Sequence, residues 1–254
     1  MKIDEKKFNR WFNVFILAGM TAALLIITIF KLGGTETGKA LLLISAFGSL
    51  MGVLSTVCSA NGSILTFLFG FLDVSIYGAM CLVNWRHGSS GLGNAILHFV
   101  YFVPMQFVGF FQWRKRGAGK HGAKVEARRL NGKQWLYCSL FFVAFSVIAY
   151  LVLARFDKSA ADSFIKVAVV LDVLPLVCNI LGQFLMSTAY MDQWIFWIGV
   201  NITSVLMWVN SYNTSADTYT LVYIIKYSFY LINSFNGLRI WLKLSRKEDL
   251  PQVD

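Results

Sequence analysis

Long apolar runs separated by short polar connections dominate the chain. Eight such segments can be marked, with approximate ranges 13–30, 40–60, 63–83, 92–111, 135–154, 163–189, 194–211 and 218–240. Most are near the roughly 20 residues that a helix needs to cross the hydrocarbon core of a bilayer. The runs are apolar all round rather than alternating, so they predict helices and not the strands of a membrane barrel. The pattern predicts an all-α polytopic membrane protein with about eight transmembrane helices.

Composition supports a membrane protein. Of the 254 residues, 57% are hydrophobic and 14% are charged, whereas a soluble domain carries about 25% charged residues. The 22 Phe and 8 Trp also exclude a disordered chain. The four cysteines lie far apart in or beside apolar segments, a spacing that fits neither a zinc site nor a disulfide framework. We therefore expect no metal and no cofactor.

The basic residues predict the orientation. Three regions, 2–10, 114–133 and 239–247, hold 16 of the 23 Lys and Arg residues. With eight crossings these regions fall on one side, which the positive-inside rule makes cytoplasmic, so both termini are expected there. The net charge of +10 and the run 114–133 also raise nucleic acid as a partner, but no aromatic residue lies between Trp113 and Trp135. We interpret this run as a solvated, lipid-facing loop and expect no nucleic acid partner.

The chain contains a weak internal repeat. The pattern F-x-G-x-x-x-W occurs at Phe107–Trp113 and again at Phe235–Trp241, and the same shift places Asp73 on Asn201. Four crossings separate the copies, so they share an orientation. The repeat predicts two parallel three-helix bundles joined by a linker helix, with an extra N-terminal helix. The expected divisions are 1–34 (tail and extra helix), 35–113 (first bundle), 114–160 (basic cytoplasmic loop and linker), 161–241 (second bundle) and 242–254 (cytoplasmic tail).

One segment carries an aromatic and amide stripe. Trp194, Trp197 and Asn201 are spaced i, i+3 and i+7, which places them on one helix face. Two indoles and an amide can hold a flat ring and bond its substituents. Interfacial anchoring is the alternative for Trp194, since it begins its segment. Asn201 lies deeper, where an amide must find a partner or line a cavity.

Four further amides lie within apolar segments: Gln106, Gln183, Asn233 and Asn236. Each alone could serve as a helix–helix contact; together with nearby tyrosines they predict a polar cavity lined by aromatic rings. Such a lining suits a neutral or delocalised cationic aromatic molecule, because an indole face attracts a cation by about 0.5–2 kcal/mol. It would bind a phosphate poorly.

Several ionisable residues also fall within the membrane segments. Asp73, Asp172, Lys226 and His98 could form a proton relay. The alternative is a buried pair of Lys226 with one of the aspartates, with His98 as a packing residue. No phosphate loop, metal-binding helix motif or nucleophile elbow occurs in the sequence. We therefore expect a transporter and not an enzyme; a proton-coupled carrier remains the alternative to a passive one.

Four motifs together resemble the PnuC vitamin transporters. They are W-x-x-W-x-x-x-N at Trp194–Asn201, G-Q at Gly182–Gln183, Q-x-x-G-x-x-x-W at Gln106–Trp113 and N-S-x-x-G-L at Asn233–Leu238. The likeness covers the chain from about residue 40 onwards. It implies two parallel three-helix bundles joined by one helix, similar to the SWEET transporters. The first segment is an addition to that core.

The resemblance also implies a function. It implies facilitated diffusion of nicotinamide riboside across the bacterial inner membrane, with phosphorylation by a cytoplasmic kinase trapping the product. Related members carry thiamine or riboflavin, so these vitamins stay open. By the same likeness Trp194, Trp197, Asn201 and Gln183 line the substrate site, joined by Asn233 and Gln106. A homo-oligomer is compatible with it.

Overall fold

The computed structural model describes residues 4–34, 39–86, 92–156, 167–215 and 218–246. Within these ranges the chain is almost entirely helical. The α-helices are α1 (Glu5–Gly34), α2 (Lys39–Ala60), α3 (Leu65–Arg86), α4 (Leu92–Leu97), α5 (Val103–Lys115), α6 (Gly132–Phe156), α7 (Val167–Ser187), α8 (Gln193–Ser215) and α9 (Thr218–Leu244). Each of the eight predicted segments forms a helix over most of its described residues. Residues 63–64 and 188–189 are not helical, and residues 163–166 lie outside the described residues.

The helices have the length and composition of membrane spans. Six stretches are long and apolar enough to cross a bilayer: α1, α2, α3, the continuous α4–α5 run, α6 and α7. The more polar α8 and α9, at 23 and 27 residues, are also long enough for a core of about 30 Å. On α6, the apolar side chains of Leu136, Leu140 and Val143 are exposed, as expected of residues that face lipid. The prediction of an all-α polytopic membrane protein is confirmed; the parallel arrangement of two three-helix bundles stays a prediction.

A π-helical stretch, His98–Phe102, joins α4 to α5. It immediately precedes the first turn of α5, which contains Pro104. Proline has no N–H and its ring clashes with the carbonyl four residues earlier, so a wider turn before it relieves the conflict. Nδ1 of His98 lies 2.8 Å from the carbonyl oxygen of Asn94, and its ring contacts that of Tyr77. These contacts fit the packing role expected of His98.

The described chain divides into two compact units, one up to Glu126 and one from Ala127 onwards. The first contains α1 to α5. Its extra N-terminal helix is tied to the end of α2 by a reciprocal pair of amide hydrogen bonds between Asn13 and Asn61, of 3.2 and 3.0 Å. The second unit contains α6 to α9. There α6, the expected linker, packs on the buried core of α7 and α8. The domain boundaries expected from the sequence stay a prediction.

The first copy of the repeated motif builds a close helix contact. Gly109 of α5 lies against the ring of Phe67 on α3, so close that a β-carbon at Gly109 would overlap that ring. Phe67 in turn packs edge-on against Trp113, with ring centroids 4.8 Å apart at 84°. Trp113 is fully buried. The glycine and tryptophan of the motif therefore form a three-residue contact with one aromatic ring of the neighbouring helix.

The basic connection between α5 and α6 is only partly the solvated loop expected from the sequence. Lys120, Lys124 and Lys133 are exposed. Val125 and Ala127, however, are buried, and the Val125 N–H donates to the carbonyl oxygen of Gly62 at 3.0 Å. The basic side chains are thus largely exposed as expected, while two small apolar residues between them pack and their backbone finds partners, which the count of charges does not reveal.

Candidate functional site

The turn between α7 and α8 sets where the aromatic stripe begins. α7 ends at Ser187 and α8 begins at Gln193. Ala189 has a φ of 62°, in the left-handed region that usually closes a helix with glycine. The Tyr190 N–H donates to the carbonyl oxygen of Leu185 at 2.8 Å, the long hydrogen bond of a Schellman ending. This compact ending brings the start of α8 close to the end of α7.

Arg128, in the connection before α6, contacts this turn through both its backbone and its side chain. Its N–H donates to the carbonyl oxygen of Ala189, and its own carbonyl accepts from the Met191 N–H, both at 2.8 Å. Its guanidinium carbon lies 4.2 Å from the centroid of the Tyr190 ring, and its Nη2 donates to the carbonyl oxygen of Thr188 at 2.9 Å. The start of α8 is therefore fixed by backbone pairing and by a cation–π contact.

Trp197 lies between α7 and α8. A β-carbon at Gly182 would stand 3.1 Å from Cε2 of the indole, so glycine permits the ring to lie directly on the backbone of α7. The indole N–H donates to Oε1 of Gln193, one turn earlier on α8, at 3.3 Å. The ring is half-buried. Gly182 therefore sets the position of the Trp197 ring and Gln193 sets its rotation, while part of the ring surface stays accessible.

Asn201 joins α8 to α9. It is 7% exposed, and its Nδ2 donates to Oγ of Ser234 at 2.9 Å. The Ser234 hydroxyl donates in turn to the carbonyl oxygen of Tyr230 at 2.9 Å. Ser234 follows Asn233, whose side chain is fully buried. Asn201 thus faces the neighbouring helix and makes one helix–helix hydrogen bond.

Trp194 is packed on all sides. It is 2% exposed, and its ring lies against Gly237 of α9 so closely that a β-carbon there would overlap it. Its ring centroid is 6.4 Å from that of Trp241 at an angle of 63°. Such burial differs from the interfacial anchoring that was the alternative for this residue. It also leaves little of the ring surface accessible to a ligand.

Two further amides have partners on their own helices. Nε2 of Gln183 donates to Oγ of Ser187 at 3.0 Å. Oδ1 of Asn236 accepts from Nε and Nη2 of Arg239 at 3.1 and 2.9 Å. Both amides are buried. Gln183 and Asn236 therefore lie in the interior of the second unit, where some of their polar atoms form hydrogen bonds.

The structure groups six of the seven residues singled out by sequence in the second unit. The stripe on α8 contacts Gly182, Ser234 and Gly237, which are the chain neighbours of the three amides expected in the site. The six residues are Trp194, Trp197, Asn201, Gln183, Asn233 and Asn236.

Gln106 belongs to the first unit. There it is 3% exposed and its Nε2 donates to the carbonyl oxygen of Phe102 at 3.4 Å. Its Oε1 fills the space beside Gly70, where a β-carbon would stand 2.6 Å away. Among the described residues this oxygen has no hydrogen-bond partner. It is therefore an unengaged acceptor within α5.

Sequence reasoning missed Gln193. It stands just before the marked segment 194–211, but its spacing of four residues from Trp197 places the two on one helix face. Gln193 is fully buried. Within the described residues, the buried N–H donors without a partner in this unit include Gln193 Nε2, Trp194 Nε1 and Asn236 Nδ2. A buried donor left unpaired costs about 1–3 kcal/mol, so this interior suits a ligand that offers acceptor oxygens.

The ionisable residues lie on several helices. Nζ of Lys226 on α9 is 5.8 and 5.6 Å from the ring centroids of Tyr227 and Tyr230. The carboxylate of Asp73 on α3 lies close to Gly52, where a β-carbon would stand 2.9 Å from it. The expected pairing of Lys226 with an aspartate stays a prediction.

The chain is similar to known proteins over most of its length. A family model described as nicotinamide mononucleotide transporter matches residues 42–243. The chain is 30% identical over 207 residues to a nicotinamide riboside transporter PnuC from Neisseria mucosa, covering 80% of this chain and 73% of that one. It is 28% identical to the protein of that name from Haemophilus influenzae, covering 80% of this chain and 81% of that one.

A solved structure is also similar. The crystal structure of a vitamin B3 transporter PnuC matches with a TM-score of 0.60 and 28% sequence identity, and the match covers 91% of this chain and 92% of that chain. The family indicated by the four sequence motifs is therefore confirmed. On the family match over most of its length, the chain belongs to the nicotinamide mononucleotide transporter family, the PnuC transporters.

Proposed function

We propose that the chain carries nicotinamide riboside across the membrane by facilitated diffusion. One observation carries this proposal: the half-buried ring of Trp197, seated on Gly182 and bonded to Gln193, lies in a unit lined by buried amides. The relatives from Neisseria and Haemophilus bear the name of nicotinamide riboside transporters, which supports the same substrate here.

The chemistry of the substrate matches that of the lining. Nicotinamide riboside has a cationic pyridinium ring, and an indole face attracts such a cation by about 0.5–2 kcal/mol. Its carboxamide and ribose hydroxyls offer acceptor oxygens to buried donors such as Asn236 Nδ2 and also present donors of their own. Thiamine and riboflavin also present flat rings and are tested as alternatives.

The setting proposed is the inner membrane of a bacterium, with both termini in the cytoplasm. Lys and Arg residues are concentrated in the three regions that would lie on that side. A carrier without coupling cannot concentrate its substrate, so a cytoplasmic kinase would trap the riboside as its phosphate. The chain itself would act as a carrier and not as an enzyme.

A binding titration tests the proposal. Purified protein is titrated by calorimetry with nicotinamide riboside, thiamine and riboflavin, and again as Trp197→Ala and Asn201→Ala. Loss of one stacking ring should weaken nicotinamide riboside binding by about 1–3 kcal/mol, or roughly 5- to 150-fold. Trp11→Ala, a tryptophan 65% exposed on α1, is the matched control and should bind as wild type. Unchanged affinity in both site variants would contradict the placement of the site.

A proton-coupled carrier is the second candidate, because Lys226 lies within the membrane helix α9. Uptake into liposomes, with and without an imposed pH gradient, separates the two. With the membrane potential held at zero, so that the charge of the cationic substrate does not drive uptake, facilitated diffusion predicts equal initial rates and a final internal concentration no higher than the external one. Accumulation that requires the gradient would favour coupling.

A further inference from the structure

The orientation of the Gln193 amide is fixed by its partner. The indole nitrogen of Trp197 only donates, so the atom that accepts its N–H at 3.3 Å must be the Gln193 carbonyl oxygen. The NH2 group is therefore the other end of the amide. Rotating the amide by 180° would bring two donors face to face, so the alternative assignment is excluded on chemical grounds.

That NH2 group is buried and unengaged. Gln193 has no exposed surface, and its Nε2 has no hydrogen-bond partner among the described residues. Buried amide donors are paired in nearly all proteins, so an unpaired one beside a binding ring points to an acceptor that arrives with the ligand. Gln193 lies one residue before the stripe Trp194–Asn201 and is not one of its members.

We propose that Gln193 determines specificity: its NH2 donates to the carbonyl oxygen of the carboxamide on the substrate ring, while its own carbonyl holds Trp197 in place. This inference rests on the proposed function. Gln193 would thus couple the position of the stacking ring to recognition of the ring's substituent.

The geometry favours a hydrogen bond from the Gln193 NH2 group to a substituent of the substrate ring over one to the ring itself. Gln193 bonds to the edge of the Trp197 indole, through the in-plane Nε1. A flat cation stacked on the indole face projects its substituents past that edge, within reach of the amide. The pyridinium nitrogen carries the ribose and has no lone pair, so the carboxamide oxygen is the acceptor that the aromatic ring presents.

A comparison of two ligands tests this role. Nicotinamide riboside and N-ribosylpyridinium carry the same charge and ribose, but the second lacks the carboxamide. Calorimetric affinities for both are measured on wild type, Gln193→Met and Gln193→Glu. Wild type should prefer nicotinamide riboside by roughly tenfold, the value of one hydrogen bond. Both variants should lose that preference, because neither side chain in its expected form can donate this hydrogen bond.

The two variants differ in whether they keep a hydrogen-bond acceptor for the Trp197 N–H. Gln193→Glu retains an acceptor for the Trp197 N–H, so the ring stays held even if Gln193→Met folds poorly. Because both ligands are cations, the added charge changes both affinities alike and cancels in their ratio. Gln134→Met is the matched control: Gln134 donates to the Tyr190 hydroxyl at 3.0 Å in the same unit, and its variant should keep the wild-type ratio.

The outcomes separate the two claims. An unchanged ligand ratio in Gln193→Glu, or equal weakening of both ligands, would assign Gln193 a structural role and overturn the inference while leaving the proposed function intact. If wild type binds neither ligand, the proposed function fails, and the inference fails with it.

Discussion

The indole ring of Trp194 lies directly on the backbone of Gly237, one helix away. In the first unit the ring of Phe67 lies on Gly109 in the same manner. In each unit the tryptophan that ends the F-x-G-x-x-x-W motif packs against that aromatic ring. The weak sequence repeat therefore corresponds to a repeated packing unit, in which glycine lets two helices approach and an aromatic ring fills the contact.

Replacement of Gly237 by alanine should destabilise the protein. The added β-carbon would overlap the Trp194 ring, and overpacking of this kind costs about 1–3 kcal/mol. The expected result is a lower thermal unfolding midpoint in detergent. Gly33→Ala is the control, since a β-carbon there meets nothing within 4 Å. A second change that shrinks the ring, Trp194→Leu, should recover part of the loss; no recovery would mean that the ring is not the cause.

Ser234→Ala should destabilise the contact between α8 and α9. It removes the acceptor for the buried Asn201 Nδ2, and an unpaired buried donor costs about 1–3 kcal/mol. Ser228 is the matched control, because its hydroxyl donates to a carbonyl four residues earlier on the same helix, as Ser234 does. Thermal midpoints of Ser234→Ala and Ser228→Ala are compared. Equal losses would show that the bond to Asn201 contributes nothing.

Arg128→Lys should loosen the turn before α8. Lysine cannot reproduce the planar guanidinium over Tyr190 together with the hydrogen bond to Thr188. Hydrogen exchange of the Met191 amide, which donates to the Arg128 carbonyl, should become about tenfold faster, equivalent to roughly 1.4 kcal/mol. Lys133→Ala, at an exposed position, should leave that rate unchanged. Equal exchange rates of the Met191 amide in both variants would mean that backbone hydrogen bonds alone stabilise the turn.

The mononucleotide should bind at least tenfold more weakly than the riboside. Residues 193–215, which form α8, include no lysine or arginine, and Arg239 on α9 donates two hydrogen bonds to Asn236. Among the described residues of this unit, the buried polar side chains are amides, hydroxyls and the carboxylate of Asp192, not lysine or arginine. Desolvating a phosphate among them costs more than the roughly 1.4 kcal/mol of a tenfold change in affinity. Calorimetry with the two ligands measures the difference. Equal affinities would contradict this account of the lining.

The helices were predictable because hydrophobic runs of membrane length have one structural solution in lipid. The helix face shared by Trp197 and Asn201 followed from spacing alone. The packing of Trp194 did not, since burial depends on the glycine at position 237, more than 40 residues away. Gln193 was not predicted because the marked segment 194–211 begins one residue after it. The role of Arg128 was not predicted because a basic residue in a loop is usually solvated.

The π-helical stretch His98–Phe102 amounts to one residue more than a regular helix would hold over the same span. If all the residues of this run were kept and were uniformly α-helical, the surplus residue would no longer be absorbed in a wider turn. Everything beyond would then turn by about 100° around the helix axis. Gln106, Gly109 and Trp113 would leave their present neighbours together. The wider turn that absorbs one surplus residue thus determines which face of α5 points to the protein interior.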